Sequence, residues 1–182
     1  MALRKGHCYT RPERAYTRKS RVKGKDYIKT IPQSKISKFI MGNLEDYYSG
    51  KFDSFVNLVS LQNIQLRDNA IEAARQLVLR RLNEQVKQFC FLVKVYPHHV
   101  LRENKMLTGA GADRMQSGMK HSFGKPVNLA AQVQKGSKVF SVACMKDKLR
   151  EVHKVLEKAK TKLPGTYTIT VEKFALNKNP SM

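Results

Sequence analysis

The sequence predicts an α+β domain: a mixed or antiparallel sheet covered on one face by two helices, with a basic N-terminal arm and a long flexible internal loop attached. Two helical stripes and a set of short β-type runs carry this prediction. Ile71, Ala74, Val78, Leu82 and Val86 recur at three-to-four-residue spacing, as do Leu149, Val152, Val155, Leu156 and Ala159. Around them lie short segments rich in β-branched and aromatic residues. The order is arm, strand or hairpin, helix, strand, long loop, hairpin, helix, strand. Its economical packing sets both helices on one side of the sheet.

Taken in order, residues 27–52 are broken by Pro32 and Gly42 and read as loops and short turns, with a short helical possibility at 34–39. The run FVNLVSLQNIQL (55–66) is apolar with polar breaks, as a strand or a hairpin is. The first helix starts near Asp68 or Asn69, either of which can cap it, and Glu72 stands three residues after Asn69 as in a capping box. Arg75, Arg80, Arg81 and Lys87 fall on its other faces, where they read as solvated helix cations, some of them in contact with phosphates. FCFLVKVY (89–96) is a short buried strand ending at Pro97. Residues 127–134 and 138–143, separated by Lys135-Gly136-Ser137, make a hairpin. The second helix follows Asp147 and stops at Pro164-Gly165, and TYTITVE (166–172) alternates as a half-buried closing strand. Residues 175–182 carry turn residues only.

Charge points to the partner. Lys and Arg number 35 against 14 Asp and Glu, a net charge of +21, and such a surplus repels itself unless a polyanion offsets it. Nucleic acid is the expected partner. No run approaches the roughly 18 apolar residues of a membrane span, and charges stand where a secretory signal's apolar segment belongs. Cys8, Cys90 and Cys144 are odd in number and the latter two sit in apolar runs, so they read as thiols rather than a disulfide frame. These features place the chain in the cytosol, with no membrane partner.

Residues 1–26 form the arm, and 27–182 a single α+β domain. The arm interleaves Arg4, Lys5, Arg11, Arg14, Arg18, Lys19, Arg21, Lys23 and Lys25 with Tyr9 and Tyr16, opposed by Glu13. It buries too little apolar surface to order alone, yet its cations neutralise phosphates and its rings stack on bases. Residues 97–126 lack both helical and strand periodicity and read as one long loop. Connections of this length inside a compact domain are usually functional or disordered. The loop carries Arg102, Lys105, Arg114, Lys120, His121 and Lys125 around a Gly109-Ala110-Gly111-Ala112 tip. Met106, Met115 and Met119 on the loop cannot all be core, which leaves RNA bases, a neighbouring chain or the loop itself as their packing partner.

Catalytic and cofactor motifs fail. Gly109-x-Gly111 has Arg114 where a dinucleotide fingerprint needs its third glycine, and Gly118-Met119-Lys120 lacks the ending of a phosphate loop. His98 and His99 are adjacent and the cysteines scattered, so no zinc spacing exists. Glu103, Asp113 and His121 form a conceivable acid-base group, but a mobile cationic loop is a poor place to hold catalytic geometry. No catalytic residue, cofactor or metal is expected.

Arg4 through Tyr9, Arg11-Pro12, Tyr16-Thr17-Arg18, the run Leu101-Arg102-Glu103-Asn104-Lys105-Met106-Leu107, Gly111-Ala112-Asp113-Arg114, Gly118-Met119 and Phe123-Gly124-Lys125-Pro126 closely resemble the large-subunit ribosomal protein family L-ten-e, the archaeal and eukaryotic branch of universal L-sixteen. The resemblance spans nearly the whole chain, and its short C-terminal end resembles the archaeal type. It implies a structural protein wedged among ribosomal RNA helices near the peptidyl-transferase region, with neighbouring ribosomal proteins as further partners. It also implies that Arg102, Lys105, Arg114, Lys120 and Lys125 reach toward transfer RNA, and that Arg4, Lys5, Arg11, Arg14 and Arg18 are buried in ribosomal RNA. Two other readings stand beside it: an RNA-acting enzyme using His121 or Asp113 under a loop lid, and an unattached transfer RNA chaperone.

Overall fold

The computed structural model describes residues 6–12, 30–107, 109–116, 118–120 and 122–173. After a 3-10 turn at Gly6–Tyr9 come strand β1 (Ile40–Gly42), helix α1 (Leu44–Tyr48), β2 (Ser54–Ser60), β3 (Ile64–Arg67), α2 (Asp68–Gln85), β4 (Cys90–Val93) and β5 (His99–Glu103). A short helix α3 (Ala112–Met115) then precedes β6 (Lys125–Val133), β7 (Lys138–Cys144), α4 (Leu149–Lys160) and β8 (Tyr167–Lys173). The α+β class is as expected. The strands form two sheets rather than one, in the orders β1-β4-β7-β2-β8 and β3-β6-β5. Every ladder is antiparallel.

The 55–66 run is therefore neither one strand nor a hairpin, and the hairpin expected at 127–143 is absent as a pair. The 55–66 run splits at Leu61 into β2 and β3, which belong to different sheets. The 127–134 and 138–143 strands exist as β6 and β7 but do not pair with each other. Both edges of β7 are taken by β4 and β2, and both edges of β6 by β3 and β5. The two crossings run side by side, with Gly136 N–H donating to Ser60 O at 2.8 Å and Ser60 N–H to Ser137 O at 3.0 Å.

The core lies between the five-stranded sheet and the helices, with the second sheet closing one side. Val56, Leu58, Phe91, Phe140 and Val142 meet Ile71, Ala74, Val78 and Leu82 of α2 and Val152, Val155, Leu156 and Ala159 of α4, while Leu66, Ala131 and Val133 come from the second sheet. The Phe91 and Phe140 rings meet edge to face, 5.3 Å between centroids. Opposite them, Phe52, Cys90, Leu92 and Ala143 form a smaller cluster with Tyr47 and Phe55.

Four local expectations are corrected. Residues 34–39 are not helical; they run across the start of α2, and the neighbouring β1 and α1 were read as loop. The capping box does not form, because Asp68 is already the first helical residue and Arg67 the cap position. The buried Asp68 carboxylate instead accepts from Asn69 N–H at 2.8 Å and Lys35 N–H at 3.3 Å. Glu72 is likewise engaged elsewhere, by Arg75 and by Ser37. Arg75 is not a solvated cation: it is 5% exposed, forked onto Glu72 with contacts of 2.6 and 2.7 Å. Finally, 97–126 is not one loop. His99–Glu103 and Lys125 onward are strands, so the loop narrows to 104–124 at the end of a β5–β6 ladder.

Candidate nucleic-acid interface

The β5–β6 ladder is a stem that carries the 104–124 tip away from the core. Its last pairs are Arg102 with Pro126 and Glu103 with Lys125, after a register shift at Leu101/Arg102. Val100 is buried and anchors the stem. The strand was hidden in the sequence because Val100 alone among His99–Glu103 is fully buried, leaving no two-residue alternation to detect.

Three contacts give the tip a defined root. The Arg102 guanidinium lies over the Phe123 ring, 3.6 Å from its centroid, a cation–π arrangement. The Gln116 side chain bridges the tip, donating to Lys105 O and accepting from Leu107 N–H, both at 2.5 Å. Gly124 backs directly onto the opposite strand, where an added Cβ would lie 2.7 Å from the Glu103 carbonyl carbon. That neighbour is backbone and cannot swing aside. Gly124→Val is therefore expected to pry open the stem end, speeding hydrogen exchange at Glu103 and Asn104 while leaving the core's thermal transition cooperative. Unchanged exchange there would show that the close approach is dispensable.

Beyond the root, the surface is cationic and apolar together. Lys105, Arg114 and Lys120 are exposed on the tip, and Lys125 on the stem. Met106, Met115, Met119 and Phe123 are 50, 81, 60 and 64% exposed. Exposed apolar side chains beside cations are chemically suited to stacked bases joined by phosphates. A cavity of about 670 Å³ opens at the root between Glu103, Lys105, Gln116, Phe123 and Lys125. Gly111, at φ 82°, supplies the left-handed turn into α3.

Of the expected arm residues, Arg11 is exposed, while Arg4, Lys5, Arg14, Arg18, Lys19, Arg21, Lys23 and Lys25 lie outside the described residues, as does His121 of the tip. The described part of the arm docks on the second sheet. Tyr9 Oη donates to Glu103 Oε2 at 3.0 Å, Gln65 N–H to Thr10 O at 2.9 Å, and Gln65 Nε2 to Tyr9 O at 3.0 Å. The Tyr9 ring sits 5.1 Å from the Arg67 guanidinium. Arg67, Gln116 and Phe123 were not singled out from the sequence. Phe123 and Gly124 were visible only as part of a motif, and nothing marked Gln116.

The thiols offer no nucleophile in the core, since burial pushes both Cys90 and Cys144 up to about 11. His98 and His99 are ring neighbours 4.3 Å apart, and burial lowers the His99 proton affinity, with His98 adding to it. Among the described residues no group of three or more His, Cys, Asp or Glu is gathered for a metal, and no helix is long and apolar enough to cross a membrane.

Similarity to known proteins converges on one family. The family model described as Ribosomal protein L16p/L10e matches residues 12–170. The large ribosomal subunit protein uL16 of Sulfolobus acidocaldarius is 42% identical, covering 98% of this chain and 97% of its own. The uL16 of Staphylothermus marinus is 42% identical over 90% of each chain. That of Methanococcus maripaludis is 39% identical over 95% of this chain and 96% of its own. With its two-sheet α+β core and its projecting cationic tip, the chain belongs to the ribosomal protein L16p/L10e family.

Proposed function

We propose that this ribosomal protein is built into the large subunit by binding ribosomal RNA, and that its 104–124 tip extends toward transfer RNA near the peptidyl-transferase region. As a member of its family it is a structural ribosomal component acting in the cytoplasmic ribosome, not an enzyme. Residues 1–26 serve as the RNA-bound arm, with Arg4, Lys5, Arg11, Arg14, Arg18, Lys19, Arg21, Lys23 and Lys25 neutralising phosphates. Residues 27–182 are the domain that presents Arg102, Lys105, Arg114, Lys120, His121 and Lys125.

The observation that carries this reading is the pairing of exposed cations with exposed methionines on a firmly rooted tip. Phosphate contacts fix position and release counterions, and the apolar side chains supply faces on which bases or riboses rest. Shape and charge suffice, since folded RNA is recognised largely that way. Neighbouring ribosomal proteins complete the setting.

Sedimentation of lysate through sucrose gradients tests the placement. One copy of the chain per large subunit, retained at raised salt, is the expected result. Recovery only in light fractions would overturn it.

A further inference from the structure

We propose that the cavity between the docked arm, the start of α2 and the end of α4 is a phosphate pocket that takes a backbone phosphodiester of RNA. The proposal rests on the RNA-binding reading above and assigns it one specific subsite, separate from the tip. The cavity is about 360 Å³. Arg67, Lys162 and His7 stand on its wall, and none of the residues lining it is acidic.

Arg67 is the centre of the argument. Its guanidinium is fixed on the Tyr9 ring and lies so close to Gly6 that a Cβ there would be 3.4 Å from Nη2. Its Nη1 is buried with no hydrogen-bond acceptor among the described residues. A buried donor left without an acceptor is costly, and a small rotation of the Arg67 side chain toward the cavity it lines brings this edge to an anion there. Fixed, forked and always charged, a guanidinium is well matched to phosphate oxygens.

The surroundings favour the same ligand. Ala70, in the first turn of the 18-residue α2, also lines the cavity, and backbone N–H groups of a first turn have no intrahelical acceptor and form the positive end of the helix dipole. Two carboxylates beside residues of the cavity wall are engaged elsewhere: Asp68, next to Arg67, accepts from Asn69 and Lys35, and Glu103 from Tyr9. At the other wall, the α4 end carbonyls of Lys158, Ala159 and Lys160 already accept from Thr161, Lys162 and Leu163. Lys162 is exposed and able to swing over the opening.

The test uses the full chain with two probes. Inorganic phosphate, titrated at constant ionic strength, is expected to shift the backbone amide signals of Ala70 and Lys162 saturably in the wild type and not in Arg67→Gln/Lys162→Gln. Protein-free large-subunit ribosomal RNA is expected to bind that variant about tenfold more weakly, with the slope of log affinity against log salt reduced by about 1. Lys162→Gln alone, at an exposed position, gives a partial loss of both signals and serves if the double variant loses its cooperative thermal transition. Saturable phosphate shifts with unchanged RNA affinity would mean a site for a free anion and overturn the proposal, as would the absence of localised shifts. Failure of the wild type to bind the RNA at all would sink the RNA-binding reading itself, and the phosphate titration would still report separately.

Discussion

Replacing Glu72 with alanine is expected to cost about 3 kcal/mol of folding stability, because it leaves the Arg75 charge buried without its partner. Arg75 is 5% exposed and donates both Nε and Nη2 to Glu72. Among the described residues its Nη1 has the Met41 sulfur, a weak acceptor, at 2.9 Å. Glu72 also takes Ser37 N–H and Oγ at 3.4 and 3.3 Å, so the same substitution releases the 34–39 segment from α2. Urea midpoints at neutral pH measure the effect, and a loss below about 1 kcal/mol, the level of an exposed ion pair, would reject this account. Acid supplies a second check. The Arg75 hydrogen bond holds the Glu72 carboxyl at about 2 against the ordinary 4.5, although burial pulls the other way. A depressed carboxyl stabilises the fold fully above its unfolded value, and that contribution fades as pH falls from about 4.5 toward 2. Glu72→Gln is expected to lack this part of the acid dependence.

Removing residues 106–120 is expected to abolish most of the chain's contribution to translation while shifting the domain's thermal midpoint by no more than about 2–4 °C, the equivalent of roughly 1 kcal/mol. Among the described residues the Gln116 bridge joins Lys105 and Leu107, and Asn104 Nδ2 meets Met119 Sδ at 3.6 Å, so these contacts stay within the tip. The residues left between Asn104 and Gly124 are enough for a short hairpin loop on the existing stem. Loss of the cooperative transition would show that the tip supports the core. Full translation by ribosomes carrying the shortened chain would remove the tip from the functional account.

The helices were legible because their stripes are long and regular: Ile71 to Leu82 and Val152 to Ala159 are buried where the spacing sets them. The strands themselves were legible too, but their partners were not. Alternation in residues 127–133 reports a strand with two faces and carries no information about which edge meets which neighbour, so a local turn at Lys135-Gly136-Ser137 suggested a hairpin that the sheet order rules out. Charge was misread at Arg75, since a helical position three residues from Glu72 looks the same whether the pair lies in water or against Met41. The tip was found from the absence of pattern. Its root escaped notice because Gln116 and Gly124 act through backbone that sequence places far apart.

The position of β8 governs when this chain can fold. Strand β2 lies between β7 and β8, and each of its residues is paired with the closing strand, Ser60 with Tyr167 and Ser54 with Lys173, over a hundred positions later. At roughly 5–20 residues per second of synthesis, β2 waits on the order of 5–20 s for that neighbour to be made. Both α4 and β8 must also clear the exit tunnel before the central layer closes. A ribosomal protein of this topology therefore closes its central sheet only after residue 173 has been made, so a ribosome that stalls before residue 167 holds a chain whose apolar strands have no finished sheet to join.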